Sequence, residues 1–409
     1  MQRPLAALAF AAALTALAAE PPESWIDADT GHRVVRLTTE PGSASLYFNQ
    51  NHYTPDGTRM IYTTRDGISV LDLKAHETRP VVKGRVRVIE AGRRFDTVYY
   101  VKEGAVYVTR VDTGDTREIG KLPPRGSVST VNADETLLAG TYIEGNGEDY
   151  GRGNTAPQTH PLEQPLNKGQ MMEQRLAARL PMGLFTMNIK TGEVRTILKS
   201  TDWLNHLLFS PADPSLLMYC HEGPWHKVDR IWTIRTDGSG NTLIHKRTMA
   251  MEIAGHEFWS ADGKTIWYDL QTPRGEDFWV AGYHLDTGER TWYHLQRNEW
   301  SIHFNVTGDG SLFCGDGGDE GQVAHAPDGK WIYLFRPELI PNRGVQDKSL
   351  IQPGVFRAER LVNMSKHNYR LEPNVSFTPD AKWVVFRSNM FGPSYVFAVE
   401  VEKSSNGSR

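Results

Sequence analysis

Three histidines, His206, His256 and His303, occupy the same place in three successive copies of a repeating segment. Each lies five residues before the residue that opens a tight turn, namely Pro211, Ala261 and Gly308. The same count back from Pro55 and Pro379 reaches Gln50 and Asn374, and among the blades with a readable turn only Val128 breaks the series. Imidazole titrates near neutral pH and ligates metals, so imidazoles brought to one concave place point to acid–base or metal-assisted chemistry. A single histidine at a strand end is usually structural; recurrence in one register is the informative observation. Side chains alternate along a strand, so Glu372, two residues before Asn374, shares its direction. His221, Asp269, Asp316 and Arg387 close the following strands, and an antiparallel return brings them to the same end.

The elements that must position these residues are short strands joined by Asp-centred turns. Tyr53-Thr54-Pro55-Asp56-Gly57, Trp259-Ser260-Ala261-Asp262-Gly263, Val306-Thr307-Gly308-Asp309-Gly310 and Phe377-Thr378-Pro379-Asp380 are copies of one pattern. Asp and Gly supply the conformations of a hairpin turn, so this is turn chemistry rather than a catalytic motif. Four-strand units repeating at about fifty residues predict an all-β, seven-bladed β-propeller. The innermost strands of the blades begin near Gln50, Val86, Val128, His206, His256, His303 and Asn374. The last blade shows three clear strands, and an N-terminal strand at 33–38 is left over. Pairing the two closes the ring and removes exposed edges. An insertion at about 145–181 breaks the rhythm, emerges on the histidine face, and carries a helix at 171–180.

Other features bound the function. Residues 1–19 read as a signal peptide, with Arg3, an apolar run at 5–17 and the small-x-small site Ala16-Leu17-Ala18. The propeller domain then spans 20–409, and the protein is expected to be exported, to the periplasm. The formal net charge of −4 argues against nucleic acid and a polybasic membrane surface, and no membrane span is expected in the mature chain. Cys220 and Cys314, in non-adjacent blades, are predicted to be free and buried.

Cys220-His221-Glu222-Gly223-Pro224, Val228-Asp229-Arg230 with Ile231-Trp232, His256-Glu257-Phe258-Trp259, and Gly310-Ser311-Leu312 with Gly315-Asp316-Gly317 resemble the oligogalacturonate lyase family. The resemblance covers most of the mature chain and is densest at 206–389. It implies a seven-bladed propeller that cleaves short pectin-derived uronates by β-elimination, with manganese held by histidines and a glutamine. In the family, Gln-x-x-His-x-His precedes the last Phe-Thr-Pro segment. Here that stretch is Tyr369-Arg370-Leu371-Glu372-Pro373-Asn374, so Glu372 and Asn374 replace the histidines. Oxygen donors of this kind suit a hard cation, manganese first, with calcium or magnesium as alternatives.

On this basis His206 or His221 is the expected base, and His256, Glu372 and Asn374 are the expected metal ligands. Arg387 is expected to stabilise charge on the uronate carboxylate. His303 is a candidate further ligand or, with Arg175, Arg179 and Gln50, a candidate for binding the oligosaccharide. Two other readings compete. One is a non-catalytic exported propeller that binds oligosaccharide or protein. The other is a glycoside hydrolase working through paired carboxylates among Asp269, Asp316 and Glu372.

Overall fold

The computed structural model describes residues 20–145, 167–322 and 325–403; the expected signal peptide lies outside these residues. Seven blades surround a central channel. Blade one contains Ala44–Ser45, Arg59–Thr64, Gly67–Asp72 and Thr78–Lys83, and blade two Arg87–Ala91, Thr97–Lys102, Ala105–Arg110 and Thr116–Lys121. Blade three contains Gly126–Val131, Leu137–Ile143, Met182–Asn188 and Val194–Ser200, and blade four Trp203–Phe209, Leu216–Glu222, Ile231–Arg235 and Thr242–Leu243. Ile253–Trp259, Thr265–Gln271, Phe278–His284 and Arg290–Leu295 make blade five; Phe304–Val306, Phe313–Gly315, Trp331–Leu339 and Ile351–Asn363 make blade six. Blade seven joins Ser376–Phe377, Trp383–Ser388 and Tyr395–Glu400 to the N-terminal strands Arg33–Arg36 and Ser24–Ile26. Val34 pairs with Val399 in that closure, so the chain ends latch the ring as expected. The outer strands of blades five and six also pair, in parallel, from Arg290 opposite Ile351 to His294 opposite Val355.

The turns follow from the repeated sequence. Asp56 accepts hydrogen bonds from Thr54 Oγ1 at 2.6 Å and Thr58 N at 3.1 Å. Asp262, Asp309 and Asp380 repeat this with Ser260, Thr307 and Thr378. The hydroxyl and amide donors favour the ionised carboxylate and lower the pKa of Asp56 and Asp309 to about 2. These aspartates are therefore structural.

The core is distributed. Each junction between neighbouring blades holds its own buried cluster, as where Leu208, Met218 and Ile231 of blade four meet Ala254, Ile266 and Leu270 of blade five. Burying each such side chain contributes roughly 1.5–3 kcal/mol before conformational entropy is subtracted. Cys220 and Cys314 are free and buried, as expected. The inserted helix, α1 (Lys168–Ala178), begins earlier than the sequence pattern suggested. Asn167 caps it, accepting from Gln170 N while the Gln170 side chain accepts from Asn167 N. Met171 and Met172 fasten it over the junction of blades three and four. Among the described residues, no helix is long and apolar enough to cross a membrane.

Candidate active site

Bulges at the innermost strands aim the histidines inward. In blade four the register slips between Asn205 and Leu208, and His206 adopts φ 47°. In blade five it slips between Gly255 and Phe258, and His256 also has φ 47°. Asn374 in blade seven has φ 54°. Such left-handed backbone is uncommon outside glycine and costs of order 1–3 kcal/mol. Its recurrence at one register in three blades marks positions where the fold holds a side chain in a set direction.

A cavity of about 360 Å³ opens at this register, lined among others by His206, His256, Glu222, Arg230 and Glu372. His256 is 21 % exposed, and its Nδ1 stands 3.0 Å from Asp269 Oδ1. Its Nε2 has no hydrogen-bond partner among the described residues. Burial pulls the His256 pKa down, but the Asp269 charge and hydrogen bond outweigh it, and the net shift is upward. His206, 29 % exposed, places Nε2 2.9 Å from Glu222 Oε2. Glu222 also accepts from Arg230 at 2.8 Å, and Arg230 donates from Nε to Glu257 at 2.5 Å. Burial raises the Glu222 pKa, yet the guanidinium and His206 hold it far below the ordinary value. His206, Glu222, Arg230 and Glu257 thus form one buried charged network ending at the cavity.

His303 sits behind this wall with its side chain fully buried. Its Nδ1 lies 2.7 Å from Asp316 Oδ2, and its Nε2 faces Tyr47 Oη at 3.3 Å and Glu372 Oε2 at 3.8 Å. Asp269 and Asp316, expected from the strand return, therefore both pair with the histidine of their own blade. A carboxylate on Nδ1 fixes each ring and leaves the Nε2 lone pair outward when the ring is neutral.

His221 is not in the cavity. It stacks on Trp232 at 4.8 Å and stands 3.7 Å from Asp202. The turn of blade four explains this. Ser210 N bonds Leu216 O, whereas in blade five Ser260 N bonds Thr265 O, so blade four carries one more residue. Cys220 therefore takes the place corresponding to Asp269, as the pairs Asn205–Cys220 and Gly255–Asp269 show. A slip of one residue sends His221 to the opposite face and turns Glu222 inward.

Several other expected residues are held elsewhere. Arg175 is buried against Trp203, 5.1 Å from the ring, and Arg179 pairs with Asp202 at 2.5 Å. They follow Lys168 and Met172 along one helix face, but Arg175 is about 10 Å further on at helical rise, and only the first turns reach the cavity. Arg387 donates from Nε to Glu372 O at 2.7 Å, supporting that loop from outside the cavity lining. Gln50 lines the cavity, but its amide is committed to Ile89 O and Tyr47 N. The Asn374 amide binds Phe48 N and Glu372 O, which leaves it turned to backbone rather than toward a cation. Tyr369, at the position that the resemblance matched to a glutamine, is buried and donates to Asp316 O. The sequence reading assigned no role to Arg230, Glu222, Tyr47, Lys168 or Trp225. For Arg230 the signal was present, since a lone arginine between apolar strands must bring carboxylates with it.

A family model described as oligogalacturonate lyase matches residues 22–405. The oligogalacturonate lyase of Dickeya dadantii is 27% identical over 399 residues, covering 92% of this chain and 95% of the relative. The oligogalacturonide lyase of Pectobacterium atrosepticum matches to the same extent, 27% over 399 residues. A solved oligogalacturonate lyase in complex with manganese superposes with TM-score 0.74 at 24% identity, covering 93% of this chain and 96% of that one. The oligogalacturonate lyase of Vibrio parahaemolyticus gives 0.73 at 23% identity, with the same coverage. With the seven-bladed ring and the match over nearly its whole length, this chain belongs to the oligogalacturonate lyase family.

Proposed function

We propose that this protein cleaves uronic-acid oligosaccharides of the oligogalacturonate type by β-elimination, giving 4,5-unsaturated products, with His256, expected above as a metal ligand, as proton acceptor in place of His206 or His221. The carrying observation is the His256–Asp269 pair at the cavity wall, its Nε2 unpartnered and its pKa raised. The C5 proton of a uronate is weakly acidic, so its removal needs a positioned base and positive charge beside the neighbouring carboxylate. Neutral His256 takes the proton at Nε2, and Asp269 stabilises the imidazolium that results. The bond from C4 to the glycosidic oxygen then breaks, and the electron pair of the former C5–H bond becomes the C4–C5 double bond. His206, at the same cavity and held by Glu222, is placed to return a proton to the leaving oxygen. Arg230 holds Glu222 and Glu257 in place at the cavity wall, so its charge is committed to that network. The hydrolytic alternative loses its carboxylate pair, because Asp269 and Asp316 are buried against histidines.

A divalent cation, manganese by analogy with the solved relative, is part of this proposal. Among the described residues, no group of three or more His, Cys, Asp or Glu side chains is arranged to hold a metal ion. His303 and Glu372, 3.8 Å apart, are the residues that would hold one. When bound, such a cation supplies charge stabilisation at the uronate carboxylate. We also read residues 1–19 as an export signal, which N-terminal sequencing of protein recovered from a periplasmic fraction tests. For the activity, digestion of saturated oligogalacturonates followed by mass analysis is decisive. One fragment lighter by a water than the hydrolytic product supports elimination; ordinary hydrolytic masses, or no cleavage with or without manganese, refute it.

A further inference from the structure

A second groove, of about 710 Å³, runs between the start of α1 and the segment 224–226. Lys168, Met172 and Trp225 line both this groove and the histidine cavity, so the two are contiguous. Lys168 Nζ lies 4.9 Å and Arg274 Cζ 5.9 Å from the Trp225 ring centroid. Neither cation has a carboxylate partner among the described residues. Nearby Lys227 and Arg247 do, pairing with Glu173 at 2.9 Å and Asp229 at 3.1 Å. An aromatic ring flanked by two cations that have no carboxylate partner among the described residues suits a ring with an apolar face and an acidic group. A uronate sugar has both, an apolar C–H face to lie against indole and a carboxylate to accept charged hydrogen bonds.

We infer that this groove is a second sugar subsite, taking the next uronate of an oligomer whose cleaved linkage lies in the histidine cavity. Trp225 packs against the ring, and Lys168 and Arg274 meet its carboxylate. The inference rests on the uronate reading above and deepens it, since the insertion carrying α1 then sets chain-length preference. A dimer fills the histidine cavity alone, and a trimer reaches the groove.

The test is the variant R274Q, at a side chain that lines the groove and not the histidine cavity, compared with wild type on digalacturonate and trigalacturonate. The side chain is exposed, so the fold should persist, and an unchanged thermal midpoint checks this. If the midpoint falls, R274A is read instead. The expected result is a KM for trimer raised about tenfold, with kcat and all dimer constants unchanged. The difference should shrink as salt screens the charges. Equal changes for dimer and trimer, or none for either, overturn the subsite. If wild type cleaves neither oligomer, the lyase reading fails, and calorimetric titration still decides the subsite. Trimer binding weakened in the variant while dimer binding holds supports it, and trimer binding equal in both proteins overturns it.

Discussion

On the wall formed by blades four and five, every ionisable group is tied to another. His206 meets Glu222, Glu222 meets Arg230, Arg230 meets Glu257, and His256 meets Asp269. On the wall formed by blades six and seven, His303 and Asp316 are locked together, but Glu372 is 43 % exposed and reaches His303 only at 3.8 Å. Asn374, in the corresponding register, turns its amide to backbone. The proton-handling wall is interlocked by ion pairs, while the opposite wall sets a half-exposed Glu372 beside a locked His303. Preorganised dipoles and charges cost no rearrangement at the moment of reaction. The comparison therefore locates catalytic precision in blades four and five.

Removing the centre of the interlocked wall should give the largest effect. Arg230→Met leaves Glu222 and Glu257 buried without their cation and should cost about 3–5 kcal/mol of stability in denaturant unfolding. Glu372→Gln on the other wall should cost under about 1 kcal/mol in the same experiment, since it is exposed. Equal costs would erase the contrast.

Asp269→Asn sharpens the comparison through pH. Elimination needs neutral His256, so activity falls as pH drops through its pKa, which Asp269 raises. With asparagine the pKa falls, and the acid limb should move to lower pH while the maximal rate falls about tenfold. An unmoved limb would release His256 from the role of base.

The smallest effect separates the two last-blade residues. Glu372→Gln should raise the manganese concentration for half-maximal activity about tenfold, whereas Asn374→Ala should leave it unchanged and lower stability by about 1 kcal/mol. A cation requirement that follows Asn374 instead would return it to the ligand set.

Much of this was legible in the sequence, for identifiable reasons. The Asp-centred turns recur because each needs the same side-chain acceptor, and the strands between them alternate in period two, so the blades and their closure could be placed. The shared register of His206, His256, His303 and Asn374 followed from the same count. What could not be counted was the extra residue in the turn of blade four, which exchanges His221 for Glu222 at the cavity. Nor does spacing reveal that Arg175 and Arg179 sit too far along α1, because the tertiary contact of Met171 and Met172 fixes where that helix begins over the ring. Arg230 was readable only as a buried charge lacking a named partner; its two carboxylates come from different blades.

The most direct test of the account is the initial rate at which wild type and His256→Asn form the unsaturated-uronate chromophore from digalacturonate, with manganese present and pH above the His256 pKa. The account predicts chromophore from wild type and a rate about a thousandfold lower for the variant, with KM little changed. A variant that forms it at a near wild-type rate would contradict the assignment of His256, and a wild type that forms none would contradict the elimination itself.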